Sequence, residues 1–150
     1  MGGHFWSYHV PYQENLNRAL QALREVEFKA ERFWQPSEVP PGFFGRLFGR
    51  SPSKPQRPAS IREALKISDA TGTRSILDME RISDTPDYGA VCRLGSDQLQ
   101  ELFGTDQPTK EAVERSDDLI ESLERGQGIC IVTYRAGKAD GICFVGYSYD

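Results

Sequence analysis

Apolar and polar positions alternate at the start of the chain and then change period. From His4 to Tyr12 the residues are mostly aromatic or β-branched, which suits a strand, and Pro11 marks its exit because proline cannot donate to a ladder. A period of two places His4, Trp6, Tyr8 and Val10 on one face, with Phe5, Ser7 and His9 on the other. Leu16, Ala19, Leu20, Leu23 and Val26 then recur at spacings of three and four, predicting an amphipathic helix over 13–27 with that stripe buried. Phe28 to Trp34 reads as a return strand.

Further along, Ser60-Ile61-Arg62-Glu63 has the form of a capping box, predicting a short helix that stops near Thr71-Gly72. Ser75–Ile82 and Tyr88–Leu94 read as strands, joined as a hairpin by the turn formers Ser83-Asp84-Thr85-Pro86-Asp87. Ser96 caps a helix that runs through Phe103 to Gly104. Pro108-Thr109 opens a longer helix carrying Ala112, Val113, Leu119, Ile120 and Leu123 inward. The clearest pattern is the last one, Ile129–Tyr134 and Gly141–Tyr149 around the turn Ala136-Gly137-Lys138-Ala139. Its apolar residues fall on both faces, as central strands require. The expected fold is α+β: a single mainly antiparallel sheet with helices packed on it and the C-terminal β-hairpin central.

Composition narrows this reading. A chain of 150 residues with 38% hydrophobic and 27% charged residues fits one domain with its own core, despite a mean hydropathy of -0.54. No apolar run is long enough to span a bilayer, and the first residues lack a basic-then-apolar leader, so no membrane association and a cytoplasmic location are expected.

Charge is distributed unevenly. Between Val39 and Arg62 the chain is rich in proline, glycine and serine and carries five basic residues without an acid, predicting a long basic loop at about 39–60. Its Arg46, Arg50, Lys54 and Arg57 are candidates for contact with phosphate or a partner, with Phe43, Phe44, Leu47 and Phe48 interleaved. From Ile76 onward fifteen acids face seven bases. Glu114, Asp117, Asp118, Glu121 and Glu124 fall on one predicted helix, and this face would repel nucleic acid and attract a basic protein.

Candidate chemistry is sparse. The dinucleotide, phosphate-loop, nucleophile-elbow and zinc-protease signatures are all absent. Cys92, Cys130 and Cys143 lie far apart in apolar runs, where cysteine packs as a small hydrophobe; only Cys92, beside Arg93, has a basic neighbour. No metal or cofactor is expected. Asp78, Glu80, Asp84 and Asp87 flank a predicted turn, as solvated carboxylates commonly do. His4 and His9, the two histidines, sit among aromatics and are candidates for acid/base work, with Tyr147 and Tyr149 near the other end of the chain.

These observations support two functions of different kind. The first is a small protein-binding factor, of the immunity or antitoxin kind, that masks a basic partner with its acidic surface. The second is a small enzyme acting on a nucleotide or RNA through a histidine. A homo-oligomer paired through the aromatic strand, with Trp6 and Tyr8 as anchors, is a third role, and the basic loop is the segment through which nucleic acid would be held.

Overall fold

The computed structural model describes residues 3–35 and 57–150. In chain order they form β1 (Phe5–Pro11), α1 (Leu16–Lys29), α2 (Ile61–Ser68), β2 (Arg81–Ser83), β3 (Ala90–Arg93), α3 (Ser96–Phe103), α4 (Lys110–Glu114), α5 (Asp117–Glu121), β4 (Gly128–Arg135) and β5 (Lys138–Tyr147), with short 3₁₀ turns at Asp69–Thr71 and Ile76–Asp78. The strands make one sheet in the order β1-β5-β4-β3-β2.

The sheet is mixed. β5 runs antiparallel to both β1 and β4, whereas β4, β3 and β2 are mutually parallel. The C-terminal hairpin is present, with β4 at the centre and β5 beside it, and its two turn residues Ala136 and Gly137 both take positive φ, 51° and 76°. Two left-handed residues are what a tight hairpin turn needs to match the strand twist. The expected hairpin of β2 with β3 is instead a parallel pair. Two such short strands need little return length, and residues 84–89 supply it along the sheet edge, with Glu80 N–H bonded to Gly89 O at 2.9 Å.

Helices cover both faces. On the first, α1 and the Ile76–Asp78 turn bury Trp6, Leu20, Leu23, Ile76, Val91, Cys130, Ile142 and Phe144. On the second, the segment from α3 to α5 covers Cys92, Ile129, Ile131, Cys143 and Val145 with Val113 and Leu119. Pleating explains the division, because alternate residues of β4 and β5 point to opposite sides.

Trp6 sits in a slot of glycines. Gly146 pairs with Trp6 on one side and with Gly128 on the other, and the indole lies across both. A Cβ on Gly128 would come within 2.7 Å of Trp6 Cη2.

Several helix ends follow the expected chemistry. Ser60 caps α2 by accepting from Glu63 N–H, while Glu63 Oε2 reaches back to Ala59 N–H at 2.6 Å. Thr109 caps α4, and Gly104, at φ 70°, closes α3. The long helix expected after Pro108 breaks at Arg115, because Ser116 accepts from Leu119 N–H and restarts it as α5. α3 begins one residue after Gly95, so Ser96 is its first residue rather than its cap, and Gln98 accepts from Gly95 N–H.

At α1 the buried stripe is Leu16, Ala19, Leu20, Leu23, Arg24 and Glu27, and Val26 is 54% exposed. Glu27 is held by Arg32 at 2.7 Å; Arg24 Nη2 donates to Leu77 O at 3.1 Å and Nη1 to Gln21 Oε1 at 2.7 Å, while its buried Nε has no partner. The strand expected at Phe28–Trp34 does not form. α1 continues to Lys29, and Glu31 turns the chain at φ 58°. Among the described residues no helix is long and apolar enough to cross a membrane.

Candidate functional site

The topology gathers nine of the fifteen acids that follow Ile76 into one layer. The connection from β3 to its parallel neighbour β4 contains α3, α4 and α5, and all three lie on the second face of the sheet. Apolar residues at helical spacing, Leu99, Leu102, Phe103, Val113, Leu119 and Leu123, point to the sheet. Nine acids, Asp97, Glu101, Asp106, Glu111, Glu114, Asp117, Asp118, Glu121 and Glu124, are all exposed, against the three bases Lys110, Arg115 and Arg125 in the same segment.

The helix ends fix part of this charge. Asp117 and Asp118 occupy the first turn of α5 behind the Ser116 cap, where the helix dipole favours negative charge. Glu114 ends α4 and pairs with Lys110 at 3.6 Å. Between α3 and the start of α5 runs a shallow groove of about 460 Å³, floored by Leu102, Phe103 and Ala112 and rimmed by Arg115, Ser116, Asp117 and Asp118. Its accessible lining is mainly polar, and the two exposed carboxylates on its rim suit a basic group.

A second concavity, a cleft of about 540 Å³, opens at the carboxyl ends of β3 and β4. Asp84, Arg93, Ser96, Asp106 and Tyr134 supply its polar groups, and Ser96 Oγ donates to Asp106 Oδ2 at 3.3 Å. Clefts in this position of an α/β sheet commonly receive ligands. Neither histidine lines it.

The two histidines lie at different levels of the β1 edge. His9 lies on the second face, where its Nε2 reaches across Gly141 to Thr133 Oγ1 at 3.2 Å. Partial burial, with Lys110 nearby, pulls its imidazole below the ordinary histidine value. His4 precedes β1, and its N–H donates to Ser148 Oγ at 2.8 Å. Tyr147 packs edge-on against Phe5 at 5.5 Å, four strand positions from the level of His9. The structure does not bring His4, His9 and Tyr147 together. Glu114, Asp117, Asp118, Glu121 and Glu124 do share one layer. Arg46, Arg50 and Lys54 lie outside the described residues, as does most of the segment expected as a basic loop; Arg57 pairs with Glu31 at 3.0 Å.

The cysteines are all reduced and buried. Burial pushes the Cys130 thiol up to about 12 and Cys143 to about 11. Cys92 is also raised by burial, so adjacent Arg93 does not activate it.

Sequence reasoning missed a buried polar turn. Asp78, 1% exposed, was grouped with exposed acids; its Oδ1 accepts from Thr73 N–H at 2.6 Å and Thr73 Oγ1 at 2.7 Å. Burial raises its carboxyl above the ordinary value, opposed by the N–H groups of the 73–75 turn. Tyr149 O–H donates to Asp78 O at 2.9 Å and stacks on Tyr88. The same turn holds Arg74 at φ 55°, with its guanidinium over Trp34; Arg74 Nε is 2.6 Å from Asp150 Oδ2, an ion pair whose angle falls short of a hydrogen bond. Thr-x-Ser-x-x-Asp is a local signal that could have revealed this turn, because all three side chains are short and capable of bonding to nearby backbone. Compared with known proteins, the chain matches no family model, no curated protein and no solved structure.

Proposed function

We propose that the protein is a binding factor, of the immunity or antitoxin kind, that covers a basic surface of a partner protein with its α3–α5 layer. The observation that carries this reading is the exposure of all nine acids in that layer, two of which, Asp117 and Asp118, rim the groove beside Leu102 and Phe103. Clustered negative charge speeds encounter with a basic partner and disfavours acidic ones. On this reading a lysine or arginine of the partner lays its stem on Phe103 and its charge against Asp117 and Asp118.

The test is capture of the partner from source cells by the intact protein, followed by binding measurements with the purified partner. Asp117→Lys combined with Asp118→Lys should weaken binding by about tenfold or more and flatten its salt dependence. Reversing the exposed Glu14 and Glu25 of the opposite face should leave both unchanged. Equal binding by all three proteins would refute the assignment to this layer, and failure to retain any basic protein would refute the function.

A further inference from the structure

We infer that the outer edge of β1 is a self-association site, through which a second copy of this chain adds its own β1 antiparallel across a two-fold axis at Ser7. β1 is the last strand on its side of the sheet, and its outer edge pairs with no described residue. Its inner hydrogen bonds are fixed by Tyr12 N–H to Asp140 O at 3.3 Å and Ser148 N–H to His4 O at 3.0 Å. Because bonded residues alternate in an antiparallel ladder, the even-numbered residues face β5, and the N–H and C=O groups of Phe5, Ser7 and His9 point away from it.

The two sheet edges differ in how they are protected. β2 at the opposite edge has three residues, carries Arg81 paired with Asp87, and is followed by the return of residues 84–89. Natural edges are blunted by shortness and charge in this way. β1 has seven residues, and from His4 to Tyr12 there is no Lys, Arg, Asp or Glu. Phe5 is 39% exposed and Tyr12 42% exposed along it.

The sequence of β1 also fits its own copy. With Ser7 opposite Ser7, Phe5 falls opposite His9 in both directions, so the three outward N–H donors of each chain all find acceptors. Pro11, which has no N–H, falls opposite Gly3, where the ladder ends. Phe5 meets His9 on one face as an aromatic cross-strand pair, Trp6 falls opposite Tyr8 with its indole kept in its own glycine slot, and no like charges are opposed. This match of β1 to itself at every outward donor, with Pro11 falling at the ladder's end, is why the second copy is the occupant. Directly opposed residues share a face, so the acidic layers of the two copies lie on the same side of the joined sheet.

Sedimentation velocity of the intact chain, from dilute solution to about 100 µM, tests this, since a micromolar dissociation constant leaves most chains paired at the upper end. The wild type should reach twice the 16.9 kDa chain mass. Exchange of the Phe5, Ser7 and His9 amides should slow as concentration rises. Ser7→Lys, which opposes two charges at the axis, should weaken pairing by about tenfold or more with an unchanged circular dichroism spectrum. Ser7→Pro removes an outward donor and leaves the inner ladder intact. A wild type that stays monomeric throughout would overturn the proposal, as would a dimer that Ser7→Lys leaves unaffected.

Discussion

Replacing Gly128 by alanine should destabilise the protein when Trp6 is present and stabilise it when Trp6 is gone. Gly128 has ordinary strand backbone, and the single contact its added methyl would make below 3.0 Å is with Trp6 Cη2, at 2.7 Å. The next contacts, Trp6 Cζ2 at 3.2 Å and Val145 O at 3.3 Å, are tight but tolerable. Trp6 is 4% exposed and belongs to the core cluster with Phe144 and Leu20, so its indole has little room to retreat. Overpacking of this kind costs about 1–3 kcal/mol. Trp6→Ala alone removes a buried aromatic and should cost about 3–5 kcal/mol.

In the Trp6→Ala background the clash has no source. The alanine methyl then fills part of the vacated slot and restricts the unfolded chain, a gain of about 0.5–1 kcal/mol over glycine. The coupling between the two sites should therefore be about 2–4 kcal/mol. Urea denaturation of the four proteins of the cycle, followed by far-ultraviolet circular dichroism, reads it directly. With a slope of about 1–3 kcal/mol per molar, such a coupling moves midpoints by about 1 M or more. Equal cost of Gly128→Ala in both backgrounds would refute the glycine-slot account of β1 docking. Gly146 makes a poorer probe, since a Cβ there also meets Gln127 O at 2.6 Å whatever stands at position 6.

Two further outcomes follow from titratable groups. Because burial lowers the His9 pKa, the unfolded chain takes up the proton first as pH falls below 6.5, and stability drops through that window. His9→Gln should flatten the loss, and urea midpoints from pH 7.5 to 5 would show no change if the account were wrong. With Cys130 raised to about 12 and Cys143 to about 11, the native chain should react with a thiol reagent at pH 8 only as fast as it opens, all three thiols reacting at once in urea; rapid native labelling would contradict the burial.

The elements legible in the sequence were those set by local chemistry. The capped helix at Ser60, the helix closed by Gly104 and the hairpin at Ala136-Gly137 each depend on a few adjacent residues. Periodicity failed where side chains compete with the ladder for backbone groups. Ser75–Ile82 looked like a strand because of Ile76 and Ile82, yet Ser75 Oγ accepts from Leu77 N–H and Asp78 folds back on Thr73, leaving only Arg81–Ser83 to pair. Strand direction was invisible for a different reason. A six-residue link normally signals a hairpin, and only the shortness of β2 and β3 lets it serve as a parallel return. Of the candidate site, the acidic set from Glu114 to Glu124 was readable as charge on helices, whereas the burial of Asp78 and the cleft beside Arg93 depend on contacts between distant segments.

That parallel connection also accounts for the charge asymmetry. A long segment joining two adjacent parallel strands packs back over one side of the sheet. The chain from Ser96 to Gln127 is such a crossover between β3 and β4, and it contains nine of the acids that follow Ile76. A composition bias spread over thirty-odd residues thereby becomes one charged face. In an antiparallel arrangement of the same strands, the helices could have been divided between faces and their charge divided with them. Like charges crowded on one layer cost self-repulsion, which Lys110 and the dipoles of α4 and α5 offset only locally.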